Sequence, residues 1–311
     1  MKKLVIFLIG LTTVFSLSAQ RLNSRGEKMV SHISNKIHYQ TGEPYYATFS
    51  KPYDIYFYYD SNDEINKIKA IFPTSMADSI VITKGKNGII WKNYYNKNGK
   101  PVWEVTHKVF LDDEGRVSKV ESIINDARPF EVSRRTYRYH DKANQNKDVC
   151  LDVEIQYVLQ PANGPEYGKD CDAFVYRGFQ MLHYDGGLTQ VYFQREIKTD
   201  EYVLGPDSPD PRTIIGHFFP NETNMGLNAF LFYDIDDADG DCLLLLSRWI
   251  PIKGDFLPLE FWTTWRSLHL YYTDCIYNRN GDLTNIHVYV NAKPSLWYRE
   301  LIEDIEIEYV Q

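Results

Sequence analysis

Hydrophobic and polar positions alternate along this chain in short runs, and turns reset the alternation. Ile286, Val288 and Val290 share one parity, while His287 and Tyr289 hold the other. Ile305, Ile307 and Tyr309 alternate in the same way with Asp304, Glu306 and Glu308. A side-chain period of two belongs to a strand with one buried face. Helical spacing is scarce. It can be argued only for Met29 to Tyr39, Lys67 to Met76 and Trp297 to Glu303, and the first reads equally as a strand.

A short phrase recurs within this pattern. It reads Ile65-Asn66-Lys67-Ile68, Val117-Ser118-Lys119-Val120, Leu188-Thr189-Gln190-Val191 and Leu283-Thr284-Asn285-Ile286. Each copy follows a turn rich in Asp, Asn and Gly: Asp60 to Asp63, Asp112 to Gly115, Asp185 to Gly187 and Asn278 to Gly281. An aromatic or apolar residue precedes each turn, namely Tyr59, Leu111, Tyr184 or Tyr277. A short hairpin loop often combines a type I turn with one residue at positive φ, a position that Gly fills without steric cost. Gly115, Gly281 and Gly99 fit that slot. The resulting bulge adds one residue to one strand, so two inward aliphatic residues fall three apart instead of two. Weaker copies lie at Tyr94-Tyr95 before Gly99, at Tyr137-Arg138-Tyr139, and at Phe230 to Tyr233 before the acidic loop Asp234 to Asp241. The copies start at unequal intervals, which argues against a fixed-period solenoid or propeller and for a meander with insertions.

An aromatic residue, an acidic Gly turn, then aliphatic–polar–Lys–aliphatic resembles the YD-type hairpin repeats of Rhs-like proteins. The chain is similar also to secreted Bacteroidetes proteins of unknown function that carry this phrase in a long antiparallel sheet. The matching residues are Met29 to Ile33, the Tyr58-Tyr59-Asp60 turn and Ile305 to Tyr309, and the likeness touches about half the chain. The Gly-Arg-aliphatic form is complete at Gly115-Arg116-Val117. The resemblance implies a sheet protein and supplies no catalytic residues.

The N-terminus changes the picture by adding a destination. Lys2 and Lys3 precede an apolar run from Leu4 to Leu17, and the small residues Ser18 and Ala19 follow. This is the layout of an export signal cleaved before Gln20, so residues 1–19 are read as a signal peptide and 20–311 as one hairpin-repeat domain. The run is shorter than the roughly 20 apolar residues of a membrane span. No cysteine follows it closely, which argues against a lipid anchor. The product is expected in the periplasm or outside the cell, in soluble form.

Charge and composition narrow the partners. The formal net charge of −8 argues against nucleic acid and anionic membranes. Tyr contributes 24 residues, suited to half-exposed strand faces. Cys150, Cys171, Cys242 and Cys275 lack the spacing of a zinc or redox site. In an exported chain they allow three disulfide pairings, of which Cys150–Cys171 and Cys242–Cys275 join nearest neighbours. Buried thiols are the equal alternative.

Candidate chemistry is sparse. The acidic loop Asp234 to Asp241 fails as an EF-hand, because the first ligand position falls on Ile235. It reads as a solvated hairpin tip. The eight histidines lack helical zinc spacing. His183 and Asp185 share a strand face, but no nucleophile elbow accompanies them. Glu260 lies beside Trp262 and Trp265, where burial would raise a carboxyl pKa and flat rings could stack on sugars. These three are the candidate binding residues, with a core aromatic cluster as the plainer reading. Asp78-Ser79-Ile80 fits a short bacterial O-glycosylation site at Ser79. Asn221-Glu222-Thr223 fits the eukaryotic N-glycan acceptor.

The expected fold is all-β: a large antiparallel meander of hairpins, curled into a sheet or a barrel- or sandwich-like body, with few short helices. The expected function is a non-catalytic exported binding or structural protein, without cofactor or metal, that meets a glycan or a cell-envelope protein. The alternatives are a glycan-acting hydrolase with carboxylates on the sheet, and an outer-membrane barrel. Against the barrel stand short strands, frequent charges and a final Gln311.

Overall fold

A computed structural model describes residues 20–36, 52–73, 79–86, 88–97, 100–125, 130–140, 149–158, 174–184, 187–198, 203–204, 210–214, 217–227, 241–251, 256–263, 269–291 and 299–311. The leader at 1–19 lies outside the described residues. The first strands are β1 (Val30–Asn35), β2 (Tyr53–Tyr59), β3 (Ile65–Ile71), β4 (Ser79–Gly85) and β5 (Gly88–Lys97). Then come β6 (Lys100–Leu111), β7 (Val117–Asn125), β8 (Phe130–Tyr139), β9 (Val149–Val158), β10 (Phe174–Tyr184) and β11 (Gly187–Lys198). The short β12 (Val203–Leu204), β13 (Asp210–Ile214) and β14 (His217–Pro220) precede a helix, α1 (Asp241–Leu246). The chain ends with β15 (Phe256–Pro258), β16 (Glu260–Thr263), β17 (His269–Tyr277), β18 (Leu283–Asn291) and β19 (Arg299–Tyr309).

All pairings between these strands are antiparallel, and most join sequence neighbours, so the meander is as expected. From β1 they run in order through β9. They continue through β10, β11, β13, β16, β17, β18 and β19. The last strand then pairs with the first: Ile33 of β1 faces Ile307 of β19 on one side and Ile55 of β2 on the other. The ladder closes on itself as a barrel, which removes the exposed edges of an open sheet. The short β12 pairs with β11 beside β13.

The described parts of the three segments with helical spacing hold β1, the end of β3 and the start of β19, and none of them is helical. Helix appears instead at Asp241–Leu246, the return arm of the hairpin expected at Phe230 to Asp241. Cys242 and Leu243 to Leu246 are apolar without alternation, and all are buried. A strand with one solvated face would expose half of them, whereas a helix enclosed by the barrel buries its whole circumference.

The turns follow the spelling of the phrase. In Asp60–Glu64, Asp112–Arg116 and Asn278–Asp282 the first residue's amide donates to the fifth residue's carbonyl. The first residue's Oδ1 accepts from the amides of the third and fifth residues. The fourth residue is left-handed: Asp63 at φ 60°, Gly115 at 78° and Gly281 at 79°. The same turn occurs at Asn23–Glu27, with Gly26 at 76°, where the sequence reading had not placed one. Register shifts beside three of these turns pair Tyr59 with Ile65, Leu111 with Val117 and Tyr277 with Leu283. Both aliphatic residues of these three phrases are consequently buried. A register shift also precedes the His183–Leu188 pair at the fourth copy, whose turn residues 185–186 lie outside the described set.

The two faces differ sharply in the strands whose side chains are described. Ile55, Phe57, Ile68, Ile82, Trp91, Val109, Val120, Val153, Val288 and Ile305 belong to one core cluster that also contains α1, Met225, Leu227 and Ile250. The buried face is therefore the inside of the barrel. The opposite parity carries Asp54, Lys69, Lys92, Lys108, Arg134, Arg138, Glu306 and Glu308, all half-buried or exposed.

Candidate functional site

Two polar assemblies interrupt the apolar interior. The first is a row across β5 to β8. Trp91 pairs with His107, His107 with Ser122, and Ser122 with Ser133, each directly opposite on the next strand. Directly opposed strand residues share a face, so the four project inward together. His107 Nδ1 lies 2.7 Å from Ser122 Oγ. The imidazole stacks on the Trp91 ring with centroids 3.9 Å apart. The Trp91 indole N–H donates to Asn93, its neighbour on the same face. Arg135, two residues beyond Ser133, is fully buried.

Burial, together with the Arg135 charge, holds the His107 pKa well below its ordinary value. The ring is thus neutral. Its Nε2 is buried and has no hydrogen-bond partner among the described residues. A serine–histidine catalytic pair needs a third group orienting the base and a path for substrate. Here Trp91 orients the ring by stacking, and both Ser122 and His107 are buried. Oγ and Nδ1 share one buried hydrogen bond, in a row that spans four neighbouring strands.

The second assembly seals the barrel end that carries the phrase turns. Residues 221–227 and α1 fill it, and Gly226 N donates to Leu246 O at 3.2 Å. Asn221 and Thr223 are buried and bonded to each other, so the glycan-acceptor spelling is a closed turn inside the protein. Strand-end tyrosines knit the seal. Tyr59 donates to Val30 O at 2.6 Å, Tyr139 to Val117 O at 2.8 Å and Tyr309 to Leu283 O at 2.7 Å. Lys28 lies 2.6 Å from Glu222 and 3.0 Å from Asp282. Burial alone would lower its pKa, but these two carboxylates outweigh burial and raise it. Arg248, left-handed at φ 62°, donates from one nitrogen to both Glu27 oxygens at 3.1 Å.

The residues singled out by sequence fall on several strands, with two of the binding candidates on one. Glu260 and Trp262 lie two apart on β16, opposite Tyr272 and Leu270. Trp265 lies outside the described residues. Ser79 opens β4 and pairs with Ile71 and Tyr94. Trp249, which lies outside the candidate set, is a buried core residue, and its carbonyl accepts from Val117 N. Cys242 and Cys275 are buried as thiols with no disulfide between them, the alternative to the nearest-neighbour bridge. Burial pushes the Cys275 thiol up to about 12. Cys150 is on β9, and Cys171 lies outside the described residues.

The interior row escaped the sequence reading because no motif spells it. Its only signal is parity: His107 shares the face of Val105 and Val109, and Arg135 that of Ser133 and Tyr137. Extending the apolar parity of each strand would have turned these polar residues inward.

No family model and no curated protein matches the chain. Among solved structures it is similar to a porin-like protein from Bacteroides uniformis, with a TM-score of 0.51 at 10% identity over 89% of this chain and 96% of that one. It is also similar to a porin-like protein from Bacteroides vulgatus, with a TM-score of 0.49 at 13% identity over 90% and 98%. The first likeness extends over nearly the whole of both chains and speaks to the fold.

Proposed function

We propose that this chain is an exported barrel protein of the cell envelope that works in water, as a non-catalytic binding or structural module. One observation carries the reading. A barrel in a bilayer turns an apolar band about 25 Å tall toward lipid and keeps its lumen polar. Strands β1 to β8 and β17 to β19, whose side chains are described, have the opposite polarity. Placing Lys69, Lys92, Lys108 or Arg134 against hydrocarbon at mid-depth would cost about 2–4 kcal/mol each. The filled interior supports the same reading, since α1 and the residues around it occupy the end where a pore would open.

Fractionation tests the proposal. Expressed with its own leader in a Gram-negative host, the protein should leave the cells in the osmotic-shock fluid, without detergent. Recovery only from outer membranes, with detergent needed to keep it dispersed, would establish the membrane-barrel alternative instead.

A further inference from the structure

The outer wall of the barrel is divided by charge. On β19, β1 and β2 the outward groups are Asp304, Glu306, Glu308 and Asp54, relieved by His32, Lys36 and His287. Across β3 to β6 the balance reverses. Lys67, Lys69 and Lys108 project from this wall with no ion pair among the described residues, and Lys92 has one, with Glu104.

Register places these lysines on a grid. Lys67, Thr83, Ile90 and Lys108 form one lateral row, each opposite the next. Lys69, Val81 and Lys92 form the row beside it. Residues two apart on a strand are separated by about 6.8 Å and neighbouring strands by about 4.8 Å, so Lys67 and Lys108 stand roughly 14 Å apart. Between and beside them, Ile90 is 52% exposed and Tyr58 44% exposed. Lys67 lies over the Tyr58 ring at 5.1 Å, which holds its ammonium in place.

We infer that this β3–β6 wall binds an extended polyanion, a polymer bearing carboxylate or sulfate groups, through Lys67, Lys69 and Lys108. Three features favour a polymer over other occupants. A protein interface is depleted of lysine at its centre, whereas lysines form the centre here. A convex wall meets a flat bilayer along a narrow line, while a flexible chain can follow its curve. The apolar groups are separated by charges and give no continuous hydrophobic patch. The net charge of −8 would repel such a polymer if it were evenly spread. Segregating the acidic groups onto another part of the ring leaves the lysine wall locally attractive.

The inference rests on the outer face meeting water, as proposed above. Detergent-free recovery tests that premise separately, and only protein so recovered enters this experiment. It is applied to immobilised heparin, to polygalacturonate and to neutral dextran at low salt. The wild type should be retained by both anionic polymers and not by dextran. K67E/K69E/K108E should weaken binding on the order of tenfold or more at low salt, with the gap narrowing as the Debye length falls toward about 8 Å at 0.15 M. K67Q/K69Q/K108Q, which avoids new repulsion within the fold, should lose retention as well, with an unchanged circular dichroism spectrum. Passage of the wild type through both anionic columns would overturn the inference. So would equal retention of the glutamine variant. Two further outcomes would overturn it: self-association lost in that variant without polymer binding, or co-sedimentation only with vesicles of phosphatidylcholine and an anionic phospholipid.

Discussion

Tyr139 of β8 and Val117 of β7 share a hydrogen bond at the point where the barrel wall meets its plug. The tyrosine hydroxyl donates to the Val117 carbonyl at 2.8 Å, while the amide of that valine donates to the Trp249 carbonyl at 3.0 Å. One strand residue thus serves both its neighbour β8 and the sealed end. Tyr139→Phe removes the donor and leaves a carbonyl at the edge of the core. The expected loss is about 1 kcal/mol in urea unfolding, because one net hydrogen bond disappears. Tyr309→Phe should behave alike. An unchanged unfolding midpoint in both variants would show that these hydroxyls do not support the seal.

The left-handed turn positions make a second prediction. Gly115 and Gly281 have open space where a Cβ would sit, so conformation alone is at stake there. Gly115→Ala and Gly281→Ala should each destabilise by about 1–2 kcal/mol. Gly85→Ala offers a control, since its φ is ordinary and the nearest atom to an added Cβ is 3.8 Å away. Equal thermal midpoints for all three variants would contradict the turn geometry.

His107 gives the protein a pH dependence of defined sign. Its folded pKa is depressed below the ordinary 6.5, so the unfolded chain binds its proton first as pH falls. Its contribution is full above pH 6.5 and is lost below it, at a limiting slope of about 1.4 kcal/mol per pH unit. His107→Gln should flatten the dependence between pH 6.5 and 5. Urea titrations at four pH values measure the difference, and parallel slopes for both proteins would refute it.

Removing packing from the plug should cost more than any turn. Leu244 is fully buried in α1 within the core. Leu244→Ala is expected to destabilise by about 2–5 kcal/mol, the transfer term plus the cavity left behind. Differential scanning calorimetry would register this, and a shift below one degree would mean that α1 packs loosely.

Cys275 should be inert in the native protein. Its pKa near 12 leaves almost no thiolate at pH 8, and its strand buries it. Iodoacetamide should label Cys242 and Cys275 only after unfolding in urea, without any reductant. Labelling that needs reductant would instead reveal the disulfide between them.

Much of the fold was legible in the sequence because β-hairpins are local. Asp60, Asp112 and Asn278 each cap their own turn through atoms two and four residues away, so the spelling and the geometry are the same fact. The three-residue step from Ile65 to Ile68 announced a bulge for the same reason. The candidate site was not legible. Trp91, His107, Ser122 and Ser133 come from four strands, and only their register aligns them. The helix at Cys242 to Leu246 was missed because an unbroken apolar run has no period.

The sequence by itself determined the hairpins, the turn positions and which parity of each strand is apolar, since each depends on neighbours along the chain. The tertiary structure decided that β19 returns to β1, that the apolar parity faces inward around α1, and that Arg135 lies wholly inside. It also decided that lysines from β3 and β6 meet on one wall while the acids of β19 and β2 gather on another. Those outcomes depend on residues far apart in sequence, where closure of the ladder and burial of a shared core set the arrangement that local spelling leaves open.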